Sequence, residues 1–303
     1  MIHLKKSWRS PSRSPAELFS HLVVWLCASI SVVTTIGIIA VLCKEVFAFF
    51  SHVSLWEFFT GTEWTPLIEP RKFGIWPLIS GTLLIGLGAS IFAVPIGAIT
   101  ALFLSEYVKG TPRIILKSVL EVLAGIPTVV YGFFAVFFIT PQLQKFIPDL
   151  DTFNALSAAI VVAMMIIPTI SSISQDAFEA VPKYLREAAY GLGARKYQVA
   201  TTVVFPAALS GFVASVILGF SRAIGETMAV TLAAGATPRL TLNPLQSIQT
   251  MTAFIVQVSL GDTPAGTIEY QSIFAVGLVL FLMTLGANLV AQWIVKRFQE
   301  KYR

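Results

Sequence analysis

Arg222 and Glu226 stand four residues apart in the segment Ser221-Arg222-Ala223-Ile224-Gly225-Glu226-Thr227. The run around them opens after Lys196 and holds no other Asp, Glu, Lys or Arg before Arg239. Counted from Pro206 at 1.5 Å per residue, Arg222 falls about 24 Å along a helix, which is membrane mid-depth if the run crosses a bilayer. A guanidinium at that depth costs at least roughly 2.5–3.5 kcal/mol, so its side chain is expected to face protein. Helical spacing puts Glu226 on the same face, one turn outward. A planar, permanently charged guanidinium can offer two parallel donors to an oxyanion. Glu226 would repel an anion, and two uses for it are open. It can hold Arg222 in place, or accept a hydrogen bond from a protonated phosphate oxygen, a donor that fully ionised sulfate lacks. Ser221 and Thr227 join them as candidate pathway residues, and a purely structural ion pair is the competing reading.

A second group with chemical content is a polar loop over about 176–206. It reads Val181-Pro182-Lys183-Tyr184-Leu185-Arg186-Glu187-Ala188-Ala189, then Tyr190-Gly191-Leu192-Gly193-Ala194. Pro182 can open a helix, and Gly191 and Gly193 can end one. The result is a short helix with small residues, Ala188 and Ala189, on its surface, where a neighbouring protein could pack closely. An inert amphipathic loop is the alternative.

These residues need a scaffold, and composition says which kind. Of 303 residues 55% are hydrophobic and only 12% charged, about half the charge of a soluble domain. Stretches free of charged residues, each long enough to cross a bilayer at about 20 residues, lie between Glu17 and Lys44, Lys72 and Glu106, Glu121 and Lys145, Asp151 and Asp176, and Glu269 and Lys296. With the run around Arg222 they predict an all-α membrane protein of about six crossings. The second stretch makes a helix of about 50 Å, so its ends project or bend, with Pro77 and Pro95 as candidate bend points. Its glycines, Gly81, Gly86, Gly88 and Gly97, predict close helix packing at the centre of the bundle. Pro127, Pro168 and Pro206 read as kinks or helix starts, and Pro206 suits a first helical turn.

Basic residues set the orientation. Of the 21 Lys and Arg residues, fifteen fall on one side of this topology and five (Lys44, Arg71, Lys72, Lys145 and Arg239) on the other. The richer side carries Lys5, Lys6, Arg9, Arg13, Lys109, Arg113, Lys117, Lys183, Arg186, Arg195, Lys196, Lys296, Arg297, Lys301 and Arg303, so both termini are expected in the cytoplasm. The net charge of +5 is therefore a matter of topology, and no nucleic-acid partner is read from it. Residues 1–17 form a basic Ser/Pro-rich tail, and 18–303 the membrane domain. The first stretch is too long for a cleaved signal peptide. Cys27 and Cys43 inside it read as packing residues, and scattered His3, His21 and His52 suggest no metal. The outer loop at 45–74 carries Trp56, Phe58, Phe59 and Trp64, either interfacial aromatics or a docking surface. The last outer loop, 237–269, holds an amphipathic piece, Leu245 to Leu260, that either lies on the membrane face or folds toward a pathway.

Glu187-Ala188-Ala189, three residues, Gly193, nine residues and Val203-Val204-Phe205-Pro206 resemble the EAA loop of ABC importer permeases, EAA-x3-G-x9-I-x-L-P. Val203 and Phe205 depart conservatively. The resemblance implies a type I importer permease, with a core at about 75–297, whose loop sits in a cleft of a separate ATPase and transmits its closure. From about Phe73 onward the chain resembles the PstC family, permease subunits of phosphate importers. The stretches Phe73-Gly74-Ile75-Trp76-Pro77, Leu104-Ser105-Glu106-Tyr107, Gly125-Ile126-Pro127-Thr128-Val129-Val130-Tyr131-Gly132-Phe133 and Arg222 to Thr227 carry it. The resemblance implies a PstA-like second permease as heterodimer partner, a PstB-like ATPase dimer, a PstS-like external phosphate-binding protein, and residence in a bacterial plasma membrane among its lipids.

No Gly-x4-Gly-Lys-Ser/Thr loop occurs, so this chain is expected to be a non-catalytic transport subunit that binds no cofactor. ATP and Mg would act on the partner ATPase. Another oxyanion, molybdate or sulfate, remains open as cargo. An ion-gradient-driven transporter would usually show inverted repeats, and a non-transporting scaffold would leave Arg222 and Glu226 unexplained.

Overall fold

A computed structural model describes residues 15–299. Most of the predicted basic tail, residues 1–14, lies outside the described residues, as do Lys301 and Arg303. Pro15–Glu17, assigned to that tail by composition, already belong to the first helix. All regular structure among the described residues is helical, apart from one antiparallel bridge between Trp64 and Phe73.

Each of the six apolar stretches forms a helix or a bent pair of helices. Four run unbroken: α1 (Pro15–His52), α3 (Trp76–Tyr107), α6 (Ala155–Glu179) and α12 (Ile268–Gln299). The short α2 (Leu55–Thr60) lies in the outer loop. The third stretch is bent by 87° between α4 (Thr111–Gly125) and α5 (Thr128–Gln144). Pro127, which cannot donate a helical N–H, caps α5 there. The fifth is bent by 74° between α8 (Lys196–Ala207) and α9 (Leu209–Ile224). Pro206 therefore ends a helix before the bend instead of opening the crossing helix. On the inner side, α7 (Lys183–Gly191) lies between α6 and α8; on the outer side, α10 (Met228–Ala234) and α11 (Met251–Leu260) follow α9.

Of the two candidate bend points in α3, Pro77 sits in the first turn, where its missing N–H has no helical partner to lose. Pro95 lies within a helix that continues to a π-helical last turn at Phe103–Tyr107. As the glycines suggested, α3 is central and packs most extensively against α6. Ile170 of α6 is wedged between two glycines. A Cβ on Gly97 would approach Ile170 Cγ2 to 2.7 Å, and one on Gly219 of α9 would approach its Cγ1 to 2.8 Å. Ser174 and Ser215 add a buried hydroxyl pair at 2.6 Å between α6 and α9. Such contacts matter because lipid supplies no hydrophobic drive for helix association.

The outer aromatics divide. Phe58 and Trp64 are buried with Phe49, Phe73 and Phe254 in edge-to-face contacts that fasten the outer loop to α1 and α11. Trp56 and Phe59 remain exposed. Arg71 adds an ion pair of 2.7 Å to Glu269 at the start of α12. Cys27 and Cys43 are exposed on α1, whose principal neighbour is α12; neither packs into a core.

Candidate functional site: a broken helix at mid-depth and a clamped inner helix

Helix α9 does not carry on through Glu226. It stops at Ile224 with Gly225 as its C-cap, and α10 restarts at Met228. Glycine is a poor helix former, and Glu226 gives the new helix its start: its Oε1 accepts from Ala229 N at 3.2 Å. A carboxylate is favoured at that end by the helix dipole. Thr252 of α11 donates its hydroxyl to the Glu226 carbonyl at 2.7 Å, and Met251 N donates to Thr82 Oγ1 of α3 at 3.1 Å. The amphipathic piece therefore folds into the bundle and supports the break, with Met251 to Phe254 buried.

Two expectations change as a result. Glu226 is not stacked one turn above Arg222, and among the described residues the two form no ion pair. Of the two uses open for Glu226, holding Arg222 in place is not what its contacts do. Nor does Arg222 turn into the core of this chain. Ala223 and Ile224 are buried while Arg222 is exposed, with Nη1 donating to Thr169 Oγ1 of α6 at 3.0 Å. Tyr131 of α5 donates its hydroxyl to Leu123 O at 2.9 Å across the α4–α5 bend. A guanidinium in that position is stable in a membrane only against water or another protein. Ser221 points elsewhere and donates to Asn288 Oδ1 of α12 at 3.0 Å, a helix-packing contact. Thr227 sits in the break and donates to Gly225 O at 3.1 Å.

At the inner face the predicted short helix is present. Pro182 caps α7 and Gly193 takes φ +83°, a left-handed turn that suits glycine. Leu185 and Ala189 pack on a cluster of Phe178, Val181, Val199, Val204 and Ala208. Ala189 is thus half-buried against the expectation that it would lie at the surface; Glu187 and Ala188 are exposed beside Tyr184, Tyr190 and a Leu192 that is 91% exposed.

A residue the sequence reading passed over holds this helix. Arg186 donates Nε and Nη2 to Glu106 Oε1 at 3.2 and 3.0 Å, Nη2 to Phe178 O at 2.6 Å, and Nη1 to Val181 O. One guanidinium thereby joins α7 to the inner ends of α3 and α6. The pair is 16% and 8% exposed. Glu106 and Arg186 lie 80 residues apart, so no spacing rule links them. A lone carboxylate ending a 33-residue uncharged run was the available signal. Nearby, Arg113 of α4 pairs with Glu179 of α6, and Lys196 lies over the Tyr107 ring at 4.8 Å.

The arrangement is a bundle with a cation at a helix break and a rigidly tethered, outward-presenting helix below. Known proteins resemble this chain in sequence and in fold. Residues 93–303 match the family described as binding-protein-dependent transport system inner membrane component. The chain is 33% identical to YqgH of Bacillus subtilis over 94% of its own length and 93% of that protein's. It is 33% identical to the phosphate transport system permease protein PstC of Mesorhizobium japonicum over 81% of this chain and 80% of that one. Its fold matches a bacterial ABC transporter involved in import of the acidic polysaccharide alginate, with a TM-score of 0.62, 16% identity, and 92% and 98% of the two chains covered. The chain belongs to the family of binding-protein-dependent transport system inner membrane components, and it is a multi-pass membrane protein of ABC importer permease fold.

Proposed function

We propose that this chain is one of two permease subunits of an ATP-driven phosphate importer in a bacterial plasma membrane. It forms a heterodimer with a PstA-like permease, receives phosphate from a PstS-like external protein, and is driven by a PstB-like ATPase dimer that holds the ATP and Mg. What supports the reading is one observation above others: Arg222 is exposed beside a helix break, with a threonine hydroxyl as partner and, among the described residues, no carboxylate paired to it. A structural ion pair would have neutralised it. Relatives across most of the chain carry the name phosphate transport system permease protein.

Arg222 offers the anion a transient, weak site. The open side of Arg222 is where the second permease completes the pathway. Glu226 keeps one oxygen for Ala229 N, and its other oxygen serves as acceptor for a protonated phosphate. ATPase closure enters through Glu187 and its neighbours, and Arg186 carries it to α3 and α6. For nucleotide to drive the cycle, it must favour one state of the bundle over the other.

The test is reconstitution of the complex in liposomes. Uptake of phosphate is expected only with ATP and external binding protein, and to persist when ion gradients are collapsed. Uptake that follows a gradient without ATP hydrolysis would overturn the reading.

A further inference from the structure

Between α4 and α6, on the inner side of Arg222, lies a cavity of about 180 Å³ whose polar lining is Lys117, Glu121, Thr169, Ser172 and Gln175. Thr169 is the residue to which Arg222 donates at 3.0 Å, so the cavity begins where Arg222 ends. Its α6 wall repeats a polar residue every three positions, which keeps Thr169, Ser172 and Gln175 near one face and spans about 9 Å toward the inner surface. Lys117 and Glu121 are four apart and share the opposing face of α4. No residue of α4 is buried, and its other face carries exposed Ile115, Val119 and Val122.

At the inner end, Gln175 donates to Glu179 at 2.8 Å and Arg113 pairs with the same carboxylate. Glu179 is thereby neutralised where it would otherwise repel an anion. Arg113 and Glu179 also line the next cavity, about 740 Å³, which opens among Lys109, Lys183 and Lys196 at the inner face. Lys117, half-buried, has no ion-pair partner among the described residues.

We infer that this cleft is the release leg of the pathway and that Lys117 is a second, weak oxyanion site between Arg222 and the cytoplasm. The inference rests on the reading of the chain as a phosphate permease. An anion leaving Arg222 exchanges one cation for another a short distance inward, with hydroxyls and an amide replacing part of its hydration on the way. Glu121, a turn from Lys117, keeps that second site loose enough to empty, as tight binding would stall release.

The experiment uses the assembled complex in liposomes. Lys117→Gln is expected to lower the initial phosphate uptake rate roughly tenfold, the loss of one charge-assisted contact, while Lys117→Arg keeps most of it and subunit recovery is unchanged. In parallel, Ser172→Cys, with Cys27 and Cys43 replaced by Ser, is expected to react with a membrane-impermeant anionic thiol reagent applied from the inner side. Phosphate should slow that reaction, and Val122→Cys should resist it. Wild-type uptake rates in Lys117→Gln, or an unreactive Ser172→Cys in every nucleotide state, would overturn the inference. Should Lys117→Gln fail to assemble, the thiol result alone decides. Failure of the wild-type complex to import phosphate would instead strike the functional reading itself.

Discussion

Removing Glu106 tests whether the inner helix drives the bundle. Glu106→Ala leaves the Arg186 guanidinium, 16% exposed, without its carboxylate. Phe178 O and Val181 O remain as partners, so Arg186 keeps its place on the end of α6 while losing α3. Breaking a buried pair from one side costs about 3–5 kcal/mol, less here because two carbonyls still serve the cation. Glu106→Gln, which retains an acceptor, should cost less, near the roughly 1.5–3 kcal/mol of a charge-assisted hydrogen bond. On the proposed coupling, α7 untied from α3 would pass closure of the ATPase to α6 alone. The assay is side-by-side measurement of ATP hydrolysis and phosphate uptake in the same liposomes. The expected outcome is a fall of several-fold in phosphate moved per ATP hydrolysed for Glu106→Ala and an intermediate fall for Glu106→Gln. An unchanged ratio, with both rates falling only as far as complex is lost, would refute the clamp as a transmission element and leave it a folding contact.

Other consequences are as concrete. Glu226→Gln should weaken preference for phosphate over sulfate, measured by competition in a transporting variant; unchanged selectivity removes the protonated-oxyanion role. Gly97→Ala drives a methyl to within 2.7 Å of Ile170 Cγ2 and is expected to destabilise the bundle by about 1–3 kcal/mol, read as a lowered thermal midpoint of the detergent-solubilised complex. Leu192→Asp alters a side chain that is 91% exposed and should reduce co-purifying ATPase while the two permeases remain together; full ATPase recovery would place the docking surface elsewhere.

Much of this architecture could be read from residue order, because a bilayer allows few solutions. A charge-free run of sufficient length must become helical; four of the five such runs lie in unbroken helices, while the remaining one and the run around Arg222 fall in bent pairs. The inner helix was equally legible, since Pro182 and Gly193 bracket it with backbone preferences that act locally. What escaped depended on distant partners. The break at Gly225 looks like ordinary helix until Thr252, 26 residues beyond Glu226, is seen to hold it, and the face assigned to Glu226 fell with that helix. Phe58 and Trp64 are aromatic at a membrane boundary whether they anchor in lipid or close a core. Only the packing of Phe49, Phe73 and Phe254 around them decides between the two. Pro206 was assigned to a first turn because proline tolerates that place, yet it serves as readily just before a bend.

Arg222→Ala in the reconstituted complex is the most direct trial of the account. The guanidinium is expected to be essential for passage of the anion and dispensable for assembly. Phosphate uptake should therefore fall to background while both permeases and the ATPase still co-purify and ATP is still hydrolysed. Uptake at the wild-type rate in that variant would show that phosphate crosses the membrane without this cation.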